Sequence, residues 1–331
     1  MVAWKRLLVV GQVLALALVV NIGRAADDEK ELPGQKTYST GRVAPKDLEE
    51  RKVRAAERNA GFQFPRASAA RFDWCEMGVV PPIVSQSDCG SCWDFAGTGT
   101  CTMSAIRTGH GKNDGSYRLS EQYVLDCVRS GGCSGDDHST VFDHALNHGL
   151  PLQAEYGPYT ARPGHCKPCT FFQRIKGWGY CEPGARGPAS VQSIKDAMAA
   201  KGPISVAIAA DSAFMNIRPG TVFDGRSHNI NHEVILVGWD DAKGAWKLRN
   251  SWGTDWADAG YCEIKYGAND VGTDAAWVDT VAVDPPPPPP GPPAPAPAPF
   301  IPQWLIQLLI AILSALAGVY GGKMHSRVTR A

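Results

Sequence analysis

The chain opens on an apolar run, Leu7 to Val20, in which Gln12 is the only strongly polar residue. Lys5 and Arg6 precede it, and Gly23-Arg24-Ala25 puts small residues at the −3 and −1 positions of a cleavage site. Residues 1–25 are therefore expected to be a secretory signal peptide. From Pro45 to Ala60 the pattern changes to charged helix formers, with Pro at the start and Gly61 just past the end. That predicts a helix whose apolar face is thin enough to need a partner surface. A second helix is predicted from Cys92 to about Thr108. After it, short apolar runs at 204–209, 233–239, 245–250 and 260–265, punctuated by Gly and Asp, read as strands. Helices first and strands later predict an α+β protein of two lobes. Near the end, Trp304 to Gly322 gives 19 residues of mostly Leu, Ile and Ala. That is enough helix to cross about 30 Å of hydrocarbon.

Composition narrows the picture. The 33 basic residues balance the 33 acidic ones, which argues against a nucleic-acid partner held by charge. A hydrophobic content of 44% fills a real core and excludes wholesale disorder. All ten cysteines lie between Cys75 and Cys262, a usage that fits an oxidising compartment. Of the 25 prolines, 12 lie between Asp284 and Pro302. Residues 284–302 are thus expected to be a polyproline II stalk of roughly 60 Å. Residues 303–322 follow as a transmembrane helix, with Trp304 and Tyr320 near its interfaces. Lys323, His325, Arg327 and Arg330 put the tail, 323–331, on the cytoplasmic side and the folded domain outside. A sorting signal whose apolar tail is removed is the rival reading. Residues 26–67 form a charged, cysteine-free preface to a domain spanning 68–283.

The chemistry concentrates at Gln86–Phe95, QSDCGSCWDF. The spacing of Cys89 and Cys92 also suits redox or zinc chemistry, but no second Cys or His pair at zinc spacing follows nearby. A thiol nucleophile needs a base, an orienter for that base and donors for an oxyanion. Cys92 begins the predicted helix, whose N-terminus should lower its pKa. His232 stands where an apolar strand begins, in INHEVILVGW, and Asn250 ends the next strand, in RNSWGTDW. Gln86 can donate a side-chain N–H beside the backbone N–H of Cys92.

These residues, with the ordered motifs LSEQ at 119–122, GCSG at 132–135, GPISV at 202–206 and NSWG at 250–253, resemble the papain family of cysteine peptidases. The resemblance covers about Asp73 to Val283. It implies a two-lobed α+β fold, a helical left lobe carrying the nucleophile and a β-barrel-like right lobe carrying His and Asn. It implies Cys92 as nucleophile, His232 as acid/base, Asn250 as its orienter, Gln86 as oxyanion donor and Trp252 as a shield over the His–Asn bond. It allocates disulfides Cys89–Cys133 and Cys127–Cys166, requires no cofactor or metal, and makes residues 26–67 a propeptide expected to act as inhibitor. The substrate is a peptide or protein. Its second residue before the cut enters a pocket lined here by Gly135, Asp136, Asp137 and Glu233, which is expected to favour Arg or Lys.

Several positions depart from the family pattern. Ser87 replaces a usual Gly, Asp94 a usual small residue, and Asp136 the second Gly of a pair, while Glu233 follows the candidate His. Asp94 favours a helix start, yet a carboxylate near a thiol opposes thiolate formation. Three functions compete: a membrane-tethered peptidase made as a precursor and acting as an endopeptidase, a transpeptidase with the same acyl-enzyme, and a silent peptide-binding homologue. Cys92, His232, Asn250 and Gln86 together speak against the last.

Overall fold

The computed structural model describes residues 35–128 and 130–280, and beyond them 303–304, 307–309 and 311–313. The chain divides into two compact units, Met1–Val283 and Asp284–Ala331. In the second unit the described residues are helical. Among the described residues no helix is long and apolar enough to cross a membrane. The signal peptide, the stalk, the basic tail and most of 303–322 lie outside the described residues.

In the first unit, α1 (Leu48–Arg58) carries Glu49 and Glu50 in its first turn and Arg58 in its last, matching the helix dipole. Its buried residues are Lys52 and Ala55. The surface it needs comes from β2 (Ile175–Tyr180): Asn59 donates to the Trp178 carbonyl at 3.0 Å, and the Arg58 guanidinium lies 5.1 Å over the Trp178 ring. A short β1 (Arg71–Asp73) leads to α2 (Cys92–Arg107), which is buried along nearly its whole length. Gly97 lets α2 approach α4 (His138–Asn147), since a Cβ there would meet Val141 at 2.7 Å. Between them in sequence comes α3 (Glu121–Cys127), capped by Ser120 accepting from the Tyr123 N–H. The helices pack with β2 into one core around Trp93, Phe142, Leu150 and Trp178. Two short helices, α5 (Gln153–Tyr156) and α7 (Ser212–Met215), and the Ser190-capped α6 (Val191–Lys201) complete the helical set.

The strands after α6 are β3 (Ile204–Ile208), β4 (Val222–Phe223), β5 (His232–Asp240), β6 (Ala245–Arg249), β7 (Tyr261–Lys265) and β8 (Thr273–Thr280). They bury a second core around Val206, Phe214, Leu236, Trp246 and Ile264. Strand order is β2-β8-β3-β5-β6-β7-β4, with β1 pairing β5 off this path. This corrects the expectation of a β-barrel-like right lobe. Closure needs hydrogen bonds between the two end strands at a consistent stagger. Here β2 turns to α1 and α4, and β4 is two residues long, so the eight-stranded sheet stays open.

Candidate active site

Pairing of β5 with β6 in antiparallel register (Ile235 with Arg249) brings the start of β5 beside the chain just past β6. His232 and Asn250 therefore meet, and His232 Nε2 donates to Asn250 Oδ1 at 2.8 Å. That bond commits the proton to Nε2, and leaves Nδ1 buried with no hydrogen-bond partner. Trp252 stacks on the His232 ring, centroids 4.4 Å apart at 22°. Cys92 opens α2, and the backbone N–H groups of Glu233, Gly41 and Trp93 turn toward its thiol. Gln86 is fixed by the Ser251 hydroxyl, which donates to its Oε1 at 2.7 Å, so its Nε2 points away as a donor.

That donor is engaged by peptide. The segment from Gln35 to Val43, outside any helix, lies across these residues. Gln86 Nε2 donates to the Ser39 carbonyl at 3.1 Å, and Trp252 Nε1 donates to the same oxygen at 3.0 Å. Tyr38 stacks on the other face of Trp252, centroids 4.6 Å apart. Asp136 N–H donates to the Gly41 carbonyl at 3.0 Å, and Val43 N–H to the Asp136 carbonyl at 2.8 Å, a parallel bridge centred on Arg42.

Covered in this way, Cys92 and His232 are both completely buried. Burial pushes the Cys92 thiol far up, and the Glu233 carboxylate adds to it. Burial pushes His232 down to about 4, against the hydrogen bond to Asn250. Both groups are neutral at neutral pH. The lowered thiol pKa expected from the helix start is thus overruled by desolvation. Asp94 does not contribute: it lies inside the protein, accepts from Thr98 Oγ1 at 2.8 Å, and is pushed well up by burial and by Glu121. Ser87 holds a positive φ of 51°, the conformation for which Gly is the unstrained choice.

Of the expected pocket residues, Asp136 serves through its backbone. Its carboxylate is occupied by the Thr140 hydroxyl and the Asp137 N–H. Gly135, at φ 104°, abuts the Gly41 carbonyl. Asp137 and Glu233 do face one another across a buried space, and the Arg42 side chain fills it. The Arg42 guanidinium lies 2.5 Å from Asp274, 3.4 Å from Asp137 and 3.8 Å from Glu233. Lys52 of α1 reaches Asp274 from outside at 2.8 Å. His138 lies behind, with Nδ1 3.2 Å from Glu233 and 3.0 Å from the Ser205 hydroxyl. Asp137, His138 and Glu233 could also ligate a metal, since their donor atoms lie within 4.8 Å of one another. Arg42, Asp274 and His138 are the participants that motif reading misses. An Asp directly before the apolar run of β8, at a positive φ of 51°, is the one signal Asp274 gives. Cys89 is bonded to Cys133 and Cys127 to Cys166, and the other six cysteines are free.

Residues 68–280 match the profile described as papain family cysteine protease. The "Cysteine proteinase 2" of Entamoeba histolytica is 32% identical over 244 residues, covering 70% of this chain and 72% of that protein. "Cathepsin L 1" of Paramecium tetraurelia is 33% identical over 219 residues, and this chain spans 63% of its length. Among solved structures, digestive procathepsin L2 from Tenebrio molitor larval midgut is similar at a TM-score of 0.60 and 29% identity, over 73% of this chain and 78% of that one. A Carica candamarcensis cysteine protease in complex with E-64 gives 0.55 and 29%, over 64% of this chain and 99% of that one.

Proposed function

The chain belongs to the papain family of cysteine proteases, and from that premise we propose that it is an endopeptidase whose nucleophile is Cys92, made as a precursor silenced by its own residues 26–67. The observation that supports this most is the peptide already lying in the site, with the Ser39 carbonyl against Gln86. When that segment leaves, water returns and the cost of ionising the pair falls. His232 Nδ1 takes the Cys92 proton while Asn250 keeps Nε2–H. The thiolate attacks the scissile carbonyl, whose oxyanion accepts from Gln86 Nε2 and the Cys92 backbone N–H. The imidazolium returns its proton to the departing amine. The thioester left behind is hydrolysed by water that His232 deprotonates. Trp252 screens the His232–Asn250 bond throughout.

The segment runs parallel to the strand edge at Asp136. We extend the proposal to location: export through residues 1–25 and tethering outside the cytoplasm through 303–322. The test of the chemistry is Cys92→Ala in the full chain. Peptide cleavage should fall at least a thousandfold with the thermal midpoint retained. Cleavage at close to the wild-type rate would remove Cys92 from the mechanism.

A further inference from the structure

The two oxyanion donors, Gln86 Nε2 and the Cys92 backbone N–H, belong to the two ends of one short loop, and a side chain from elsewhere spans it. Tyr159 lies outside any helix or strand, in the stretch after α5. Its hydroxyl donates to the Gln86 carbonyl at 3.1 Å. A phenol has one proton to give, so the Ser91 hydroxyl, 2.7 Å away, donates to the Tyr159 oxygen. Ser91 directly precedes Cys92. One phenol thus ties the residue carrying the first donor to the neighbour of the residue carrying the second. Tyr159 is itself fixed. Its ring packs edge-on against Phe95 of α2, centroids 4.8 Å apart, and Thr160 donates to Gln122 Oε1 of α3 at 2.8 and 3.0 Å. These contacts involve no residue of 35–43, so the tie outlasts the departure of that segment.

The loop needs such holding. Ser87 sits in the left-handed region at φ 51°, a conformation that persists in a non-glycine residue only where the surroundings fix it. On one side Ser251 does so: its carbonyl accepts from the Gln86 N–H at 2.8 Å, and its hydroxyl donates to Gln86 Oε1 at 2.7 Å. On the other side Tyr159 holds the Gln86 carbonyl. Burial pushes the Tyr159 phenol up, against the Ser91 hydrogen bond and with the Asp94 and Glu121 carboxyls, so the O–H is in place at neutral pH.

We propose that Tyr159 is a positioning residue for the oxyanion hole, setting the separation of Gln86 Nε2 from the Cys92 backbone N–H through its bonds to the Gln86 carbonyl and to Ser91. The proposal rests on the peptidase reading and adds a residue to it. Donors of this kind stabilise charge that develops only in the transition state, so displacing one lowers kcat and leaves KM in place. Modification of Cys92 by dipyridyl disulfide is a displacement at sulfur with no carbonyl for the hole to hold. It reads the thiol without reading the donors.

The test compares wild type with Tyr159→Phe, which keeps the ring against Phe95 and removes only the hydroxyl. Both are produced as the full chain and assayed on one peptide under a condition in which wild type cleaves it. In Tyr159→Phe, kcat should fall at least tenfold with KM within threefold, while the rate at which dipyridyl disulfide modifies Cys92, followed by mass spectrometry, stays within twofold. Ser91→Ala, which cuts one of the two bonds, should lower kcat at least threefold, and it decides the matter alone if Tyr159→Phe does not fold. An unchanged kcat, a loss carried by KM alone, or a fall matched by an equal loss of Cys92 modification overturns the positioning role and leaves the peptidase reading standing. Absence of cleavage by wild type under every condition that modifies Cys92 overturns the peptidase reading itself, and the role with it.

Discussion

Single residues in this site are governed by burial before charge. Cys92 and His232 lose their ionic character because residues 35–43 exclude water, and no neighbouring helix end compensates. His138 shows the opposite outcome. Burial disfavours its imidazolium, but Glu233 and Asp137 outweigh that and raise it to about 9. A histidine held protonated above its ordinary value stabilises the fold fully below about pH 6.5. That stabilisation, at most about 3 kcal/mol, is lost as pH rises to about 9. In a Cys92→Ala background, which prevents self-cleavage, the thermal midpoint of the full chain should drop by several degrees between pH 6.5 and 9. His138→Gln should flatten that slope. A flat parent curve would mean that the ring is neutral in the fold. Motif spacing makes Cys92, His232, Asn250, Gln86 and Trp252 legible together, because each sits in a short run with its own signature. Arg42 and Asp274 are not legible in that way. They meet across 232 positions of sequence, and neither has a local pattern naming its partner.

Among the elements, the N-terminal segment depends on how closely its backbone approaches the cleft wall. A Cβ on Gly41 would lie 1.9 Å from the Gly90 carbonyl oxygen, and Gly90 is itself wedged between the Cys133 and Thr40 carbonyls. Gly41→Ala must therefore lift the segment away from Asp136 and Gln86. Intact full-length Gly41→Ala protein should cleave a peptide substrate at least tenfold faster than intact wild type. Equal latency would show that the seating of Gly41 is irrelevant to silencing. Apolar runs located the strands at 232–240, 245–249 and 261–265 to within about a residue at each end, because each run is flanked by turn residues. They did not reveal the openness of the sheet. Closure depends on whether the first and last strands pair, and β2 carries small and polar residues that break any periodic signal. Nor could they reveal β4, a two-residue strand parallel to β7.

At the scale of the molecule, the first unit is finished by β8. Its last residue, Thr280, is buried and donates to the Ser104 hydroxyl of α2 at 2.9 Å. Among the described residues both cores of this unit are built from positions up to Val278. A chain ended at Asp284 should unfold at the same temperature as the full chain and retain peptidase activity. On the tether proposal it should also move from the detergent phase to the aqueous phase in a partition assay. A midpoint lowered by more than about 5 °C would place part of 285–331 in the fold. The pocket beneath Arg42 carries a further consequence, for how such a protein can change over generations. Its three carboxylates hold the resident arginine. On the precursor proposal, a mutation that drains their charge would slacken the restraint on the young enzyme. A lineage that loses these charges must then find another way to keep its precursor quiet.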